Sequence, residues 1–195
     1  MPVERIQQQF RDSAATILEA LETLSMPIAA AIDTLFAALA NGNRILACGN
    51  GSSAAAAQQF AAELIGRYER ERPGLPAIAL TADTALLTAI ANDYTFEQVF
   101  SKQVRALGQT GDVLLAISTS GNSANVLAAI EAAHEREMTV IALTGNEGGN
   151  VSNMLANTDI QICTPSGRAA RIQEVHLLTL HCLCDGIDAM LLGND

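Results

Sequence analysis

The chain has 195 residues, of which 49% are hydrophobic and 16% are charged, a length and composition typical of one globular domain rather than a disordered protein. The net charge is −10 at pH 7 and the 11 basic residues form no long run, which argues against a direct nucleic-acid interface and leaves backbone dipoles to hold any phosphate ligand. The amino terminus carries charges throughout, and no uninterrupted apolar stretch approaches ~20 residues, so we expect no secretory signal, no membrane span and a cytoplasmic protein.

The first 40 or so residues show the apolar spacing of two helices. Leu18, Leu21 and Leu24 share a stripe on the first helix, a second stripe runs from Ile28 to Leu39, and Asn41-Gly42 ends the second helix. The low charged fraction leaves too little polar surface to cover every face, which favours an oligomer. We expect residues 1–195 to form a single domain, with N-terminal helices over 1–41 used in oligomerisation and an α/β sandwich over 42–195.

Five short apolar runs alternate with helical segments after residue 42. They cover residues 44–49, 76–80, 112–118, 139–145 and 159–163. Helical segments containing Glu63, reaching Leu107 and reaching Glu135 lie between them, and a last helix runs from about Arg168 to Leu192. Because parallel strands need crossover connections and have no solvent-facing side, this order predicts an α/β fold, a three-layer α/β/α sandwich around a five-stranded parallel sheet.

Three of these strands end in small polar loops, at residues 49–53, 118–123 and 144–146. In such sheets ligands lie beyond the carboxyl ends of the strands. The first two loops place glycines and hydroxyl groups where a helix begins, so backbone N–H groups and hydroxyls can converge on one phosphate. Simple helix capping is the alternative for either loop alone. The glycine-rich stretch 144–150 is interpreted as a flexible connection.

The segment "GDVLLAISTSGNSANV" resembles the SIS (sugar isomerase) domain family, which has a flavodoxin-like fold. Further resemblance lies in "ACGNG", "AELIGRYERERPGLPAIAL", "TAIANDY", "FSKQVRALG", "VIALTG" and "ARIQEVHLLTLHCLCDGID", so that it covers the chain essentially end to end. Within the family, the chain is similar to the phosphoheptose isomerase group. That group also contains the bacterial DnaA initiator-associating protein, which shares the fold and tetrameric assembly.

The resemblance implies conversion of sedoheptulose 7-phosphate to heptose 7-phosphate through an enediol, for lipopolysaccharide core heptose biosynthesis. Such a reaction needs a base and an acid on opposite sides of the reacting carbons, and the resemblance gives these roles to Glu63 and His181. The remaining expected site residues bind the phosphorylated sugar. They are Asn50, Gly51, Ser52, Ser53, Arg67, Asn92, Asp93, Ser118, Thr119, Ser120, Ser123 and Gln173.

The resemblance also implies a zinc site built from His, Glu, Gln and His. Its last three positions correspond to Glu63, Gln173 and His181, but Gln59 stands where the family has its first histidine. A glutamine amide oxygen binds zinc more weakly than imidazole, so zinc is possible and its occupancy doubtful. Gln173 and His181 are separated by ~12 Å of helix rise, which favours ligands from different subunits of a homotetramer.

Three interpretations follow. The first is an isomerase, because Glu63 and His181 are both present. The second is a non-catalytic protein of the initiator-associating type that binds a replication initiator, in line with the altered loop at Ser52. The third is a sugar-phosphate sensor without turnover. By position alone, Glu63 would be a solvated helix residue and His181 a core histidine.

Overall fold

The computed structural model describes residues 1–193, with the chain alternating between strands and helices after one long N-terminal helix. The helices are α1 (Pro2–Ala40), α2 (Ser52–Ile65), α3 (Thr84–Asp93), α4 (Ser101–Leu107), α5 (Ala124–Glu135) and α6 (Ala169–Leu192). The strands are β1 (Ile45–Gly49), β2 (Ala77–Ala79), β3 (Val113–Ser118), β4 (Thr139–Thr144) and β5 (Ile160–Cys163). Short 3₁₀ helices cover Phe96–Gln98 and Asn146–Asn153.

The five strands form one parallel sheet in the order β2-β1-β3-β4-β5, which confirms the predicted α/β fold. Alternate residues of β3 enter opposite cores: Leu115 and Ile117 pack with α1, α2 and α6, whereas Leu114 and Ala116 pack with α4 and α5. Both faces of the sheet are therefore covered, as parallel strands require. The strand order reverses between β1 and β3, so a crevice opens beyond the carboxyl ends of these two strands.

Helix α1 is one continuous helix of 39 residues, so the prediction of two N-terminal helices is wrong. Pro27 lies inside it, where a proline costs roughly 3 kcal/mol of helix stability. Leu24 and Leu35, on either side of Pro27, are buried against the rest of the protein. Tertiary packing on both sides of the proline offsets the local loss, and the helix continues.

A second group of apolar side chains on α1 lies in solvent. They are Val3, Ile6, Phe10, Leu18, Leu21 and Met26. Leu18 and Leu21 line an apolar groove of about 190 Å³ whose other wall is α6, with Val175 and Leu178. By length and hydropathy alone, α1 and α6 would each be long and apolar enough to cross a membrane. Both helices pack along the sheet, however, and core helices of soluble proteins meet the same criterion.

A buried ion pair fixes α2 against α6. The guanidinium of Arg72, in the loop after α2, pairs with Asp188 on α6, and both side chains are at most 2% exposed. The same guanidinium donates hydrogen bonds to the carbonyl oxygens of Leu64 (2.8 Å) and Glu63 (2.9 Å) at the end of α2. This contact holds together the two helices that carry the candidate acid and base.

Candidate active site

The loop after β1 turns sharply into α2. Gly51 has φ of +56°, a conformation that favours glycine, and Ser52 begins the helix. Asn50 forms a reciprocal pair of amide hydrogen bonds with Asn125 at the start of α5, at 2.8 and 2.9 Å. Ser53 is buried at the base of the loop. The Asn50–Asn125 pair therefore joins the loop after β1 to the start of α5, the helix that follows the loop after β3.

The loop after β3 contains the second set of hydroxyl groups. Ser118 Oγ lies 3.1 Å from Ser123 Oγ, and the Asn122 N–H donates to Ser120 Oγ at 3.1 Å. Thr119 and Ser120 line a polar cavity of about 150 Å³ beyond the carboxyl end of the sheet. The predicted phosphate-binding hydroxyls therefore lie together, next to the N-terminus of α5.

The glycine-rich stretch after β4 packs against this serine loop. The Val151 N–H donates to the Gly121 carbonyl (3.0 Å), and the Asn150 N–H donates to Asn122 Oδ1 (2.9 Å). A Cβ at Gly121, where φ is +65°, would lie 1.9 Å from the Gly148 carbonyl oxygen. The interpretation of this stretch as a flexible connection is wrong, because it forms a kinked turn with positive φ at residues 147–149 that packs against the serine loop.

Glu63 and His181 lie side by side across the interface between α2 and α6. Glu63 Oε1 is 3.7 Å from His181 Nε2, and the side chains are 17% and 33% exposed. Gln59, one turn before Glu63, places its amide nitrogen 2.8 Å from Glu63 Oε1 and 3.1 Å from His181 Nε2. The three residues form a compact polar group in contact with solvent, which is suited to proton transfer.

Two further side chains contact this group, the buried Cys184 and the half-buried Tyr68. The Cys184 thiol lies 3.4 Å from Glu63 Oε2. Burial, and then the Glu63 carboxylate, raise the pKa of Cys184, so the thiol keeps its proton and can donate it in a hydrogen bond. The Tyr68 ring lies 5.6 Å from the His181 ring, centroid to centroid. Glu63 is thus held by a different neighbour at each carboxylate oxygen.

Gln173 lines a groove of about 370 Å³ together with Ser52 and Gln59. Ser52 and Gln173 also line a cavity of about 20 Å³, next to Ser53 and His176. Gln59 therefore connects this groove, which Ser52 also lines, to the Glu63–His181 group.

Three predicted site residues, Arg67, Asn92 and Asp93, make their polar contacts elsewhere within residues 1–193. The Asn92 amide donates to the neighbouring Asp93 (2.9 Å) at the exposed end of α3. Arg67 is 3.9 Å from Glu71 and largely exposed. No hydrogen bond in the described part of the chain joins any of the three to Glu63 or His181.

The donor set around Glu63 does not fit a zinc ion. Of the three residues in this group, Glu63 and His181 are strong zinc donors, but the Gln59 amide nitrogen, which is not a zinc ligand, lies within hydrogen-bond distance of both. Among residues 1–193, no group of three His, Cys, Asp or Glu side chains is arranged to hold a metal. Gln173, the fourth implied ligand, makes no hydrogen bond to the other three.

Asn125, Tyr68, Cys184 and His176 were not predicted from the sequence as residues of the site. Cys184 follows His181 by three residues on an α-helix, so helical spacing alone would have placed both on one face. The Asn50–Asn125 pair has no comparable signal, since its members are 75 residues apart.

The sequence and the structure of this chain are similar to those of known proteins. Residues 9–145 match the family described as SIS domain. A phosphoheptose isomerase of Azoarcus sp. is 66% identical over 98% of this chain and 97% of its own length. The structure of a phosphoheptose isomerase from Neisseria gonorrhoeae superposes with a TM-score of 0.93 at 53% identity, covering 97% of this chain and 100% of that one. The structure of a phosphoheptose isomerase from Francisella tularensis superposes with a TM-score of 0.94 at 48% identity, covering 96% of this chain and 98% of that one.

Proposed function

The chain belongs to the SIS-domain family, in its phosphoheptose isomerase group, and on this premise we propose that it converts sedoheptulose 7-phosphate to D-glycero-D-manno-heptose 7-phosphate with Glu63 and His181 as catalytic residues. The observation that carries the assignment of roles is the 3.7 Å approach of a partly exposed carboxylate and imidazole, which Gln59 connects to a groove that Ser52 and Gln173 also line. Relatives named as phosphoheptose isomerases support this reaction rather than the binding of a replication initiator.

The reaction moves one proton from C1 of the ketose to C2 of the aldose. Glu63, as carboxylate, takes the proton from C1 while His181 protonates the carbonyl oxygen at C2, which gives the enediol. Glu63 then returns the proton to C2 as O1 loses its proton to His181 and becomes the aldehyde oxygen. Each catalytic group ends the cycle in its starting protonation state.

The sugar phosphate is held by dipoles and hydroxyl groups rather than by a cation. Ser118, Thr119, Ser120 and Ser123, with the first turn of α5, present hydroxyl and N–H donors to the phosphate. Ser52 and Ser53 assist from the start of α2. We assign Gln173, which lines the same groove, to the sugar hydroxyls, and Asn50 and Gly51 to the shape of the loop.

We assign Arg67, Asn92 and Asp93, which make no hydrogen bond to Glu63 or His181 in the described chain, to a site that a second subunit completes. We propose a soluble, cytoplasmic homotetramer whose subunits meet through the exposed apolar side chains of α1 and α6, and whose product supplies the heptose of the lipopolysaccharide core. The exposed Phe10, Leu21 and Leu178 support such an interface, because contiguous apolar surface of this kind favours burial in an assembly.

The first prediction concerns turnover. Purified protein should isomerise sedoheptulose 7-phosphate, and Glu63→Gln should lower kcat by at least ~10³-fold, because the amide is isosteric with the carboxylate and cannot accept the C1 proton. The measurement is a coupled assay of heptose 7-phosphate formation. Calorimetric binding of the sugar phosphate to E63Q is the control for an intact site. Equal turnover by E63Q and the wild-type protein would show that Glu63 is not the base of the reaction.

A further inference from the structure

The Gln59 side chain occupies the space between the two catalytic groups. Its amide nitrogen lies 2.8 Å from Glu63 Oε1 and 3.1 Å from His181 Nε2, whereas the two catalytic atoms are 3.7 Å from each other. A separation of 3.7 Å is too long for a direct hydrogen bond, and 2.8 and 3.1 Å are normal hydrogen-bond distances. The contact between base and acid therefore runs through Gln59.

The chemistry of the neighbours determines which amide atom faces them. An amide oxygen 2.8 Å from a carboxylate oxygen would bring two acceptors together, whereas the NH₂ group offers two hydrogens. One hydrogen goes to Glu63 Oε1, and the same NH₂ group lies 3.1 Å from His181 Nε2, which accepts the second hydrogen whenever that ring nitrogen carries no proton.

Like a cation at the same place, the NH₂ group of Gln59 attracts the lone pairs of Glu63 Oε1 and His181 Nε2. It thereby sets the distance between these two atoms. Cys184 holds the second carboxylate oxygen of Glu63 from the interior. The carboxylate is thus oriented at both oxygens by groups of this chain alone.

We propose that Gln59 is a positioning residue that replaces a metal ion. Its amide fixes the distance between the Glu63 carboxylate and the His181 imidazole, and turnover therefore needs no divalent cation. The proposal rests on the proposed isomerase function for its kinetic readout. Its metal-binding readout is independent of that function.

The test compares the wild-type protein with Gln59→Leu and Gln59→His, and with Gln58→Leu as the matched control. Gln58 is the adjacent glutamine of α2, and its amide donates to Thr81 instead. Each protein is stripped of metal with a chelator. Then kcat and KM are measured for sedoheptulose 7-phosphate, and the zinc dissociation constant is measured by titration calorimetry.

The wild-type protein and Q58L should keep their kcat after chelation. Q59L should lose about 10- to 100-fold in kcat with KM changed less than about threefold, the size of effect typical of residues that orient a catalytic group. Q59H should bind zinc at least ~10-fold more tightly than the wild type, because it supplies a third zinc donor beside Glu63 and His181.

Loss of wild-type turnover on chelation with recovery on adding zinc would overturn the proposal, and so would an unchanged kcat in Q59L. Absence of any wild-type turnover, with or without zinc, would instead refute the isomerase function. In that case the calorimetry still tests whether Gln59 replaces the metal. A zinc dissociation constant of the wild type equal to that of Q59H would contradict this role.

Discussion

At the scale of single residues, His176 joins the protein core to the active-site groove. Its ring lies beneath Ser52 and Ser53, and its Nε2 lies 2.9 Å from the Thr144 carbonyl oxygen. A carbonyl can only accept, so Nε2 carries the proton and Nδ1, which has no partner in the described chain, is a free acceptor. Burial lowers the pKa of His176 to about 4, against an ordinary value of 6.5.

This shift predicts a pH-dependent stability. The folded protein holds His176 neutral, so the unfolded chain binds more protons between pH 6.5 and pH 4, and stability falls as the pH is lowered through that window. His176→Gln keeps an N–H donor near Thr144 but does not titrate. Between pH 7 and pH 5, urea unfolding should show a loss of free energy about 2 kcal/mol smaller in H176Q than in the wild type. Equal losses would mean that the pKa of His176 is the same in the folded and the unfolded protein.

At the scale of elements, the relative position of α2 and α6 decides whether Glu63 and His181 meet. The Arg72–Asp188 pair, between the loop after α2 and α6, is a buried polar link between these elements. Removing one partner of a buried pair leaves an uncompensated charge, which typically costs about 3–5 kcal/mol.

Arg72→Met should therefore lower the free energy of unfolding by about 3–5 kcal/mol, and Asp188→Asn in the same chain should recover part of that loss. The exposed pair Arg105–Glu135 provides the control, and Arg105→Met should have a much smaller effect because solvent screens that pair. Urea unfolding curves of the variants measure these differences. Additive losses in the double variant would show that the two side chains do not interact.

At the scale of the whole molecule, the apolar groove between α1 and α6 predicts self-association. Leu21→Asp places a charge in this groove, where Leu21 is 59% exposed in one subunit, and burying that charge between subunits would be costly. Light scattering at micromolar concentration should give a tetramer for the wild type and a smaller species for L21D. Ala106→Asp, at an exposed position of α4 on the other face of the sheet, should leave the tetramer intact. A monomeric wild type would contradict the proposed assembly.

The helical prediction failed where packing outweighs local preference. Pro27 is a strong local signal against helix, yet α1 continues through it, because Leu24 and Leu35 are buried on either side. The prediction of a flexible connection after β4 failed for a related reason. The glycines of this stretch allow its backbone to approach Gly121 and the serine loop closely. Glycines make a segment flexible only where such packing contacts are absent.

The sequence by itself determined the parallel sheet, the polar loops at its carboxyl edge and, through family resemblance, the choice of Glu63 and His181. Apolar runs and loop residues are local patterns, and a local pattern specifies backbone conformation and burial. Only the tertiary structure decided that Gln59 joins Glu63 to His181, which lies 122 residues further along the chain. That contact depends on the distance between two packed helices, and side-chain volumes throughout the core set this distance rather than any pattern near Gln59.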